Sequence, residues 1–324
     1  MTHEVDRALI GATRSFAHES RARSWFYVLS TFALLGAFAG TALLSPWWPV
    51  RLAASVGAGL MIVRAFILFH DFMHGALLRG SRVASVLFQI FGVAVMTPPR
   101  VWRETHNYHH AHTAKIVGSN VGSYVMVTTE MWKRMSPRDR LAYRVVRHPL
   151  TILFAYFTIF GVGMGLGPFL RAPRKHAVAG LAVALHAGAW IAAAWLGVLP
   201  AFIFAFALPL TIACALGAYL FYAQHNFPEM HVQPRESWSY TRAALESSSY
   251  MEMGPAWRFF TGNIGYHHVH HLNPLIPFYR LSEAMAAIPE LQRPGRTSLR
   301  PRDVVACFRL KLWDPALDRM VGYR

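Results

Sequence analysis

Four long apolar stretches constrain this chain more than any other feature. Trp25–Leu44, Leu52–His70, Ala177–Leu199 and Ala201–Ala223 each come close to the ~20 residues that a helix needs to cross a bilayer. Lipid offers the backbone no hydrogen-bond partners, so each stretch is expected to be helical. Composition agrees. Charged residues are 15%, against about 25% in soluble domains, and mean hydropathy is +0.28. The 324 residues therefore read as one all-α integral membrane domain rather than two soluble ones. Cys214 and Cys307 are the two cysteines; they lie too far apart to suggest a disulfide framework or a thiolate metal site.

Two further apolar stretches are ambiguous. Val83–Thr97 is short, and Leu150–Leu170 carries Gly161, Gly163, Gly165, Gly167 and Pro168, which weaken a helix. Charge decides between topologies. Of 32 Lys and Arg, 14 lie in residues 71–176 and 12 in 224–324, whereas the short joints Ser45–Arg51 and Leu199–Ala201 hold only Arg51. The positive-inside rule then places the N-terminus and both basic segments in the cytoplasm. A full crossing by Leu150–Leu170 would strand Arg171, Arg174 and Lys175 outside. Both ambiguous stretches are accordingly expected to be interfacial or re-entrant. The expected architecture is four transmembrane helices (25–44, 52–70, 177–199 and 201–223) with a cytoplasmic helical cap (71–176 and 224–324). The N-terminal run after Arg7, Arg14, Arg21 and Arg23 is too long for a signal peptide and reads as a retained anchor. The Arg- and Pro-rich tail after Pro289 is expected to be loosely ordered. The net charge of +16 is assigned to a membrane surface rather than to nucleic acid.

The histidines fall into clusters on this map: His70 and His74 in HDFMH, His106, His109 and His110 in HNYHH, His225 in YAQHN, and His267, His270 and His271 in HHVHH. All nine are expected on the cytoplasmic side. On a helix, positions i, i+3 and i+4 are neighbours, so each cluster presents several imidazoles together. His112 and His268 fall off those faces. Imidazole suits iron, zinc, copper and nickel. Nine ligands exceed one tetrahedral zinc and suit two ions of higher coordination number, and the lack of nearby Cys argues against a closed structural site or an iron–sulfur cluster.

HDFMH, HNYHH and HHVHH, in this order around the spans, resemble the three histidine boxes of membrane fatty acid desaturases, and the neighbourhoods WRETHNYHHAHT, FYAQHNF and FTGNIGYHHVHHLNPLIPFYRL match as well; the resemblance is closest to the bacterial acyl-lipid type and runs over residues 55–285. The resemblance implies two iron ions held by His70, His74, His106, His109, His110, His225, His267, His270 and His271. It also implies oxygen-dependent introduction of a double bond into a fatty acyl lipid, a bacterial inner-membrane location, and an external electron donor such as a ferredoxin or a cytochrome b5-like protein. One position departs from the pattern. Some relatives place Asn four residues before the lone histidine, where this chain has Phe221; Gln224 or Asn263 would then supply a water-linked ligand.

Asp71, Glu104 and Glu252 are candidates to orient the imidazoles, because a ligating His donates its other N–H to an oxygen. Trp102, Trp238 and Trp257 are expected as interfacial anchors, Arg64 as a snorkelling cation, and His186 as a mid-span group outside the site. No haem-attachment motif or ferredoxin Cys spacing is present; the basic cap would attract an acidic donor. A membrane hydroxylase or carotenoid ketolase on the same scaffold is the competing enzymatic reading. A metal transporter fits less well, because the histidines crowd at one edge of the spans instead of lining a pathway.

Overall fold

The computed structural model describes residues 2–117 and 121–323. In chain order the helices begin with α1 (Thr2–Thr13), α2 (Arg21–Leu44), α3 (Trp48–His74), α4 (Arg82–Ala94), α5 (Pro99–Ala111), α6 (Thr129–Arg134), α7 (Pro137–Val146), α8 (Pro149–Leu153) and α9 (Gly167–Arg171). There follow α10 (Ala177–Trp195), α11 (Leu199–Phe202), α12 (Leu208–Gln224), α13 (Tyr240–Glu246), α14 (Pro255–Phe260), α15 (His267–Leu272), α16 (Leu281–Ala287) and α17 (Pro301–Arg309). Tyr156–Leu166 and Ile203–Ala207 are wound as π-helix. Among the described residues, four three-residue strands form two ribbons: β1 (Tyr250–Glu252) parallel to β2 (Arg296–Ser298), and β3 (Leu312–Asp314) antiparallel to β4 (Arg319–Val321). The chain divides into two compact units, one of residues 20–103 and 152–218, the other of 1–19, 104–151 and 219–324.

Among the described residues, four helices are long and apolar enough to cross a membrane: Arg21–Leu44, Trp48–His74, Ala177–Trp195 and the run Leu199–Gln224. They overlap all four expected spans. The second starts four residues earlier and ends four later than expected. It stops at Gly75, whose φ of +80° is left-handed and open to glycine without penalty. There the N–H of Gly75 donates to Phe72 O and that of Ala76 to Asp71 O, a Schellman-type close that keeps His70 and His74 on the final helical turn. The joint between the last two spans lies at 196–198, three residues before the expected one, where Gly197 takes φ +72°.

Helix α4 does not continue straight into α5: the two meet at 90° around Met96, which has a φ of +54°. Within the same unit, α3 and α12 come close because Gly59 offers no side chain; a Cβ there would stand 2.9 Å from the Pro209 carbonyl. Small residues permit such approaches between apolar helices. The outward faces stay apolar, with Ile191 70% and Trp195 84% exposed, as a lipid solvent requires.

One expectation about a polar group in these helices needs revision. Arg64 does not snorkel. It is buried, donates through Nε to Thr31 Oγ1 at 3.1 Å and lies 5.4 Å from the centre of the Tyr27 ring, so a local partner replaces the reach to water. His186 is a packed structural residue. Its Nε2 faces the Val93 carbonyl at 3.2 Å, which can only accept, so Nδ1 accepts from the Tyr156 hydroxyl at 2.9 Å.

The tail after Pro289 is ordered, contrary to expectation. Cys307, Leu312, Trp313 and Met320 are buried. Asn226 Nδ2 donates to Cys307 O at 2.7 Å, the Tyr222 hydroxyl to Leu310 O at 3.3 Å and the Tyr143 hydroxyl to Lys311 O. Sparse apolar residues at the right spacing suffice here: helix α17 buries Cys307, and strand β3 buries all three of its residues.

Candidate metal centre

Helices α5 and α15 build the centre of the second unit. Successive helix residues turn by about 100°, so His106 and His110 share a stripe while His109 is offset from it. Likewise His267 and His271 share a stripe and His270 is offset. The trios expected to point in one direction therefore split, and the split is complementary. His106 and His110 meet His270, with Nε2–Nε2 distances of 3.1 Å from His110 to each. His267 and His271 meet His109 together with His225, which follows the end of α12. Here the Nε2 atoms are 3.0 Å apart for His109–His225, 3.3 Å for His109–His271, 2.9 Å for His267–His225 and 3.1 Å for His271–His267. Apart from the half-buried His225, these side chains are buried.

The outer hydrogen bonds fix several tautomers. His225 Nδ1 faces the Ser247 carbonyl at 3.0 Å, so it carries the proton and its Nε2 presents a lone pair. Thr113 donates its hydroxyl to the His109 carbonyl at 2.9 Å, so it accepts from His271 Nδ1 at 3.2 Å, again leaving an Nε2 lone pair turned inward. Burial lowers the His225 pKa to about 4. Burial and the neighbouring His267, His225, His109 and His270 hold His271 well below the usual imidazole range. Neutral imidazoles with converging lone pairs repel unless a cation lies among them. Bonds of ~2.1 Å from one metal ion to ligands at right angles would separate the nitrogens by about 3.0 Å. The donor set and its spacing thus fit a metal ion.

In the other unit, His70 and His74 lie one turn apart at the end of α3, ring centres 4.7 Å apart. Asp71 Oδ1 accepts from His70 Nδ1 at 2.9 Å. Trp102 is not an interfacial anchor. It is buried, and its ring centre lies 5.4 Å from that of His70 and 5.7 Å from that of His74, walling both from water.

The other candidates take varied positions. Glu252 pairs with Arg296 on the surface at 2.9 Å, and Glu104 is exposed on α5, two residues before His106. Gln224 Nε2 donates to Ile264 O at 2.8 Å and Asn263 Nδ2 to Phe278 O at 3.2 Å. Phe221, at the departing position, packs its ring 4.9 Å from His109 and 5.4 Å from His225. His112 bonds to Tyr108 O and His268 to Leu291 O, outside both histidine groups. Trp238 is half-buried and donates inward to Thr113 O at 3.0 Å, so it too departs from the anchor expectation, whereas Trp257 is 40% exposed. Sequence reading missed Thr113. Its signal was its place four residues after His109, where a threonine hydroxyl bonds back to the preceding turn.

Close backbone contact sets the position of α15. A Cβ on Gly265 would stand 2.5 Å from the Met251 carbonyl, whose own N–H donates to Gly265 O at 2.8 Å. Gly265→Ala is therefore expected to cost about 1–3 kcal/mol and to lower the thermal midpoint of the purified protein. A midpoint unchanged from wild type would refute the contact.

The sequence model described as "Fatty acid desaturase" matches residues 45–302. Curated relatives include a Bacillus subtilis (strain 168) protein named fatty acid desaturase, 33% identical over 286 residues, covering 85% of this chain and 78% of that protein. A Synechocystis sn-1 oleoyl-lipid 12-desaturase is 24% identical over 281 residues, covering 83% and 76%. A chloroplastic omega-3 fatty acid desaturase of Glycine max is 27% identical over 288 residues, covering 82% and 60%.

Proposed function

The chain belongs to the fatty acid desaturase family and is an oxidoreductase of that class, and on that footing we propose that it is a di-iron acyl-lipid desaturase. The ligands proposed are His70, His74, His106, His109, His110, His225, His267, His270 and His271, so that both compact units serve one catalytic domain. The observation that carries the reading is the set of Nε2 atoms 2.9–3.3 Å apart in two histidine groups. The proposed location is the cytoplasmic face of a bacterial inner membrane, in keeping with the basic segments.

The overall reaction takes two adjacent methylenes, one O2, two electrons and two protons to one C=C bond and two waters. No amino-acid side chain abstracts hydrogen from an unactivated methylene; two bound irons would supply that oxidising power. The protein's own groups have narrower tasks. Asp71, Ser247 and Thr113 hold His70, His225 and His271 in the tautomer that directs Nε2 inward, as outer partners of metal-binding histidines commonly do. Trp102 and Phe221 keep water off their faces of the imidazoles, which protects an oxidising centre from side reactions.

Expression in a host of simple fatty acid composition, beside a His270→Ala control, tests the reading by gas chromatography and mass spectrometry of the methyl esters. A product two mass units lighter, with a located double bond and present only with the intact site, is expected. A product heavier by one oxygen would instead establish a hydroxylase.

A further inference from the structure

Desaturation consumes two electrons that this chain does not store, so an outside carrier must deliver them near the histidines. Two aromatic residues on one surface segment reach toward the second histidine group. Trp238 and Tyr240 are both half-buried. The Trp238 indole N–H donates to the Thr113 carbonyl at 3.0 Å, and Thr113 Oγ1 lies 3.2 Å from His271 Nδ1. The Tyr240 hydroxyl donates to the His271 carbonyl. Both polar tips thus point at the site. An aromatic anchor at a membrane interface does the opposite, keeping its polar tip among water and headgroups. Lys115 places its ammonium 3.7 Å from the centre of the Trp238 ring, and Arg235 stands exposed in the turn just before it.

We propose that Trp238, Lys115 and Arg235 form the docking surface for an acidic one-electron carrier protein, and that electrons pass from it through Trp238 and Thr113 to the histidine group containing His271. The proposal rests on the desaturase reading. Each turnover takes one electron from each of two reduced carriers, which leave oxidised, while O2 and two protons complete the two waters. Charge complementarity selects the partner. Among the described residues neither Lys115 nor Arg235 is ion-paired, and the chain carries +16 overall. Clustered cations raise the encounter rate with an acidic protein and make it salt-dependent.

The test uses the full-length, iron-loaded protein in detergent, with an acidic [2Fe–2S] ferredoxin reduced beforehand and its reoxidation followed anaerobically by absorbance. Lys115→Glu with Arg235→Glu should slow the second-order rate by about tenfold at low salt and flatten its salt dependence. Trp238→Leu should slow the limiting rate severalfold with iron content unchanged, and Trp238→Phe, which keeps a ring but no N–H, should keep most of that rate. Wild-type rates in the charge-reversed protein or in Trp238→Leu overturn the proposal. So does equal loss of rate and iron in Trp238→Phe and Trp238→Leu, which would make the indole only a cap on the Thr113 carbonyl. Transfer as fast from a basic carrier, or none from the acidic one, overturns it as well. The desaturase reading is judged separately, by whether wild-type protein with a small-molecule reductant, O2 and acyl lipid forms a double bond.

Discussion

On the proposed di-iron reading, a His271→Ala variant is expected to lose desaturation altogether and to hold about half the iron of the wild-type protein. His271 contributes one of four Nε2 atoms in its group and lies within 3.3 Å of two of the others. Its loss leaves three imidazoles, one of them tied outward to Ser247, around a site built for more. A graded series makes the result specific. Thr113→Val removes the hydroxyl that accepts from His271 Nδ1 while leaving every proposed ligand in place. Loss of such an outer partner costs about 10–100-fold in metal affinity or activity, so this variant should load iron only at raised concentrations. His112→Gln, with its ring against Tyr108 and its nitrogen on that residue's carbonyl, should keep full iron content. Metal analysis and methyl-ester profiles on the same membrane preparations decide the order. Full iron content in His271→Ala, or a deficit in His112→Gln equal to it, would break the assignment of the second group.

The histidines were legible because a metal site needs several donors of one type, and helical spacing prints them as short motifs. The long spans were legible because lipid tolerates few polar residues over ~20 positions. How the donors divide was not legible. HNYHH and HHVHH each read as one face, yet His109 joins His267 and His271, while His270 joins His106 and His110. That exchange depends on how α5 and α15 face each other, which no local pattern encodes. Trp102 illustrates a second limit: a tryptophan beside a basic residue fits an interface anchor and a buried wall equally until its neighbours are known. The ordered C-terminal segment is a third case. Its sequence is rich in Arg and Pro, and its order comes from hydrogen bonds to Asn226, Tyr222 and Tyr143, residues more than 80 positions away.

Arg147→Leu is the substitution outside the histidine groups from which the largest loss of stability is expected. Arg147 is 1% exposed. It donates through one terminal nitrogen to Val125 O at 2.9 Å and through the other to Asn226 Oδ1. Its guanidinium lies 5.4 Å from the Tyr143 ring centre and 5.1 Å from that of Tyr222. Lys311 donates to its carbonyl at 2.9 Å, and burial together with Arg147 pushes that amine down to about 8. Asn226 in turn donates to Cys307 O and Leu310 O, so one cation joins α7, the end of α12 and the C-terminal segment. Leucine fills much of the volume but leaves a carbonyl and an amide oxygen buried without their donor. Hydrogen bonds to a charged group contribute about 1.5–3 kcal/mol each, so a net loss of roughly 2–4 kcal/mol is expected. Arg147→Lys should fall between, because a single ammonium cannot reproduce the planar fork that reaches both acceptors. Because Asn226 adjoins His225, the loss should extend to the centre. Thermal unfolding of Arg147→Leu should shift downward by several degrees, and iron should leave more readily to a chelator below that midpoint. A variant as stable as wild type would mean that the tyrosine rings and the C-terminal segment hold α12 without the cation. A destabilised variant that retained iron normally would mean that the clamp serves the fold and leaves His225 in place by other contacts.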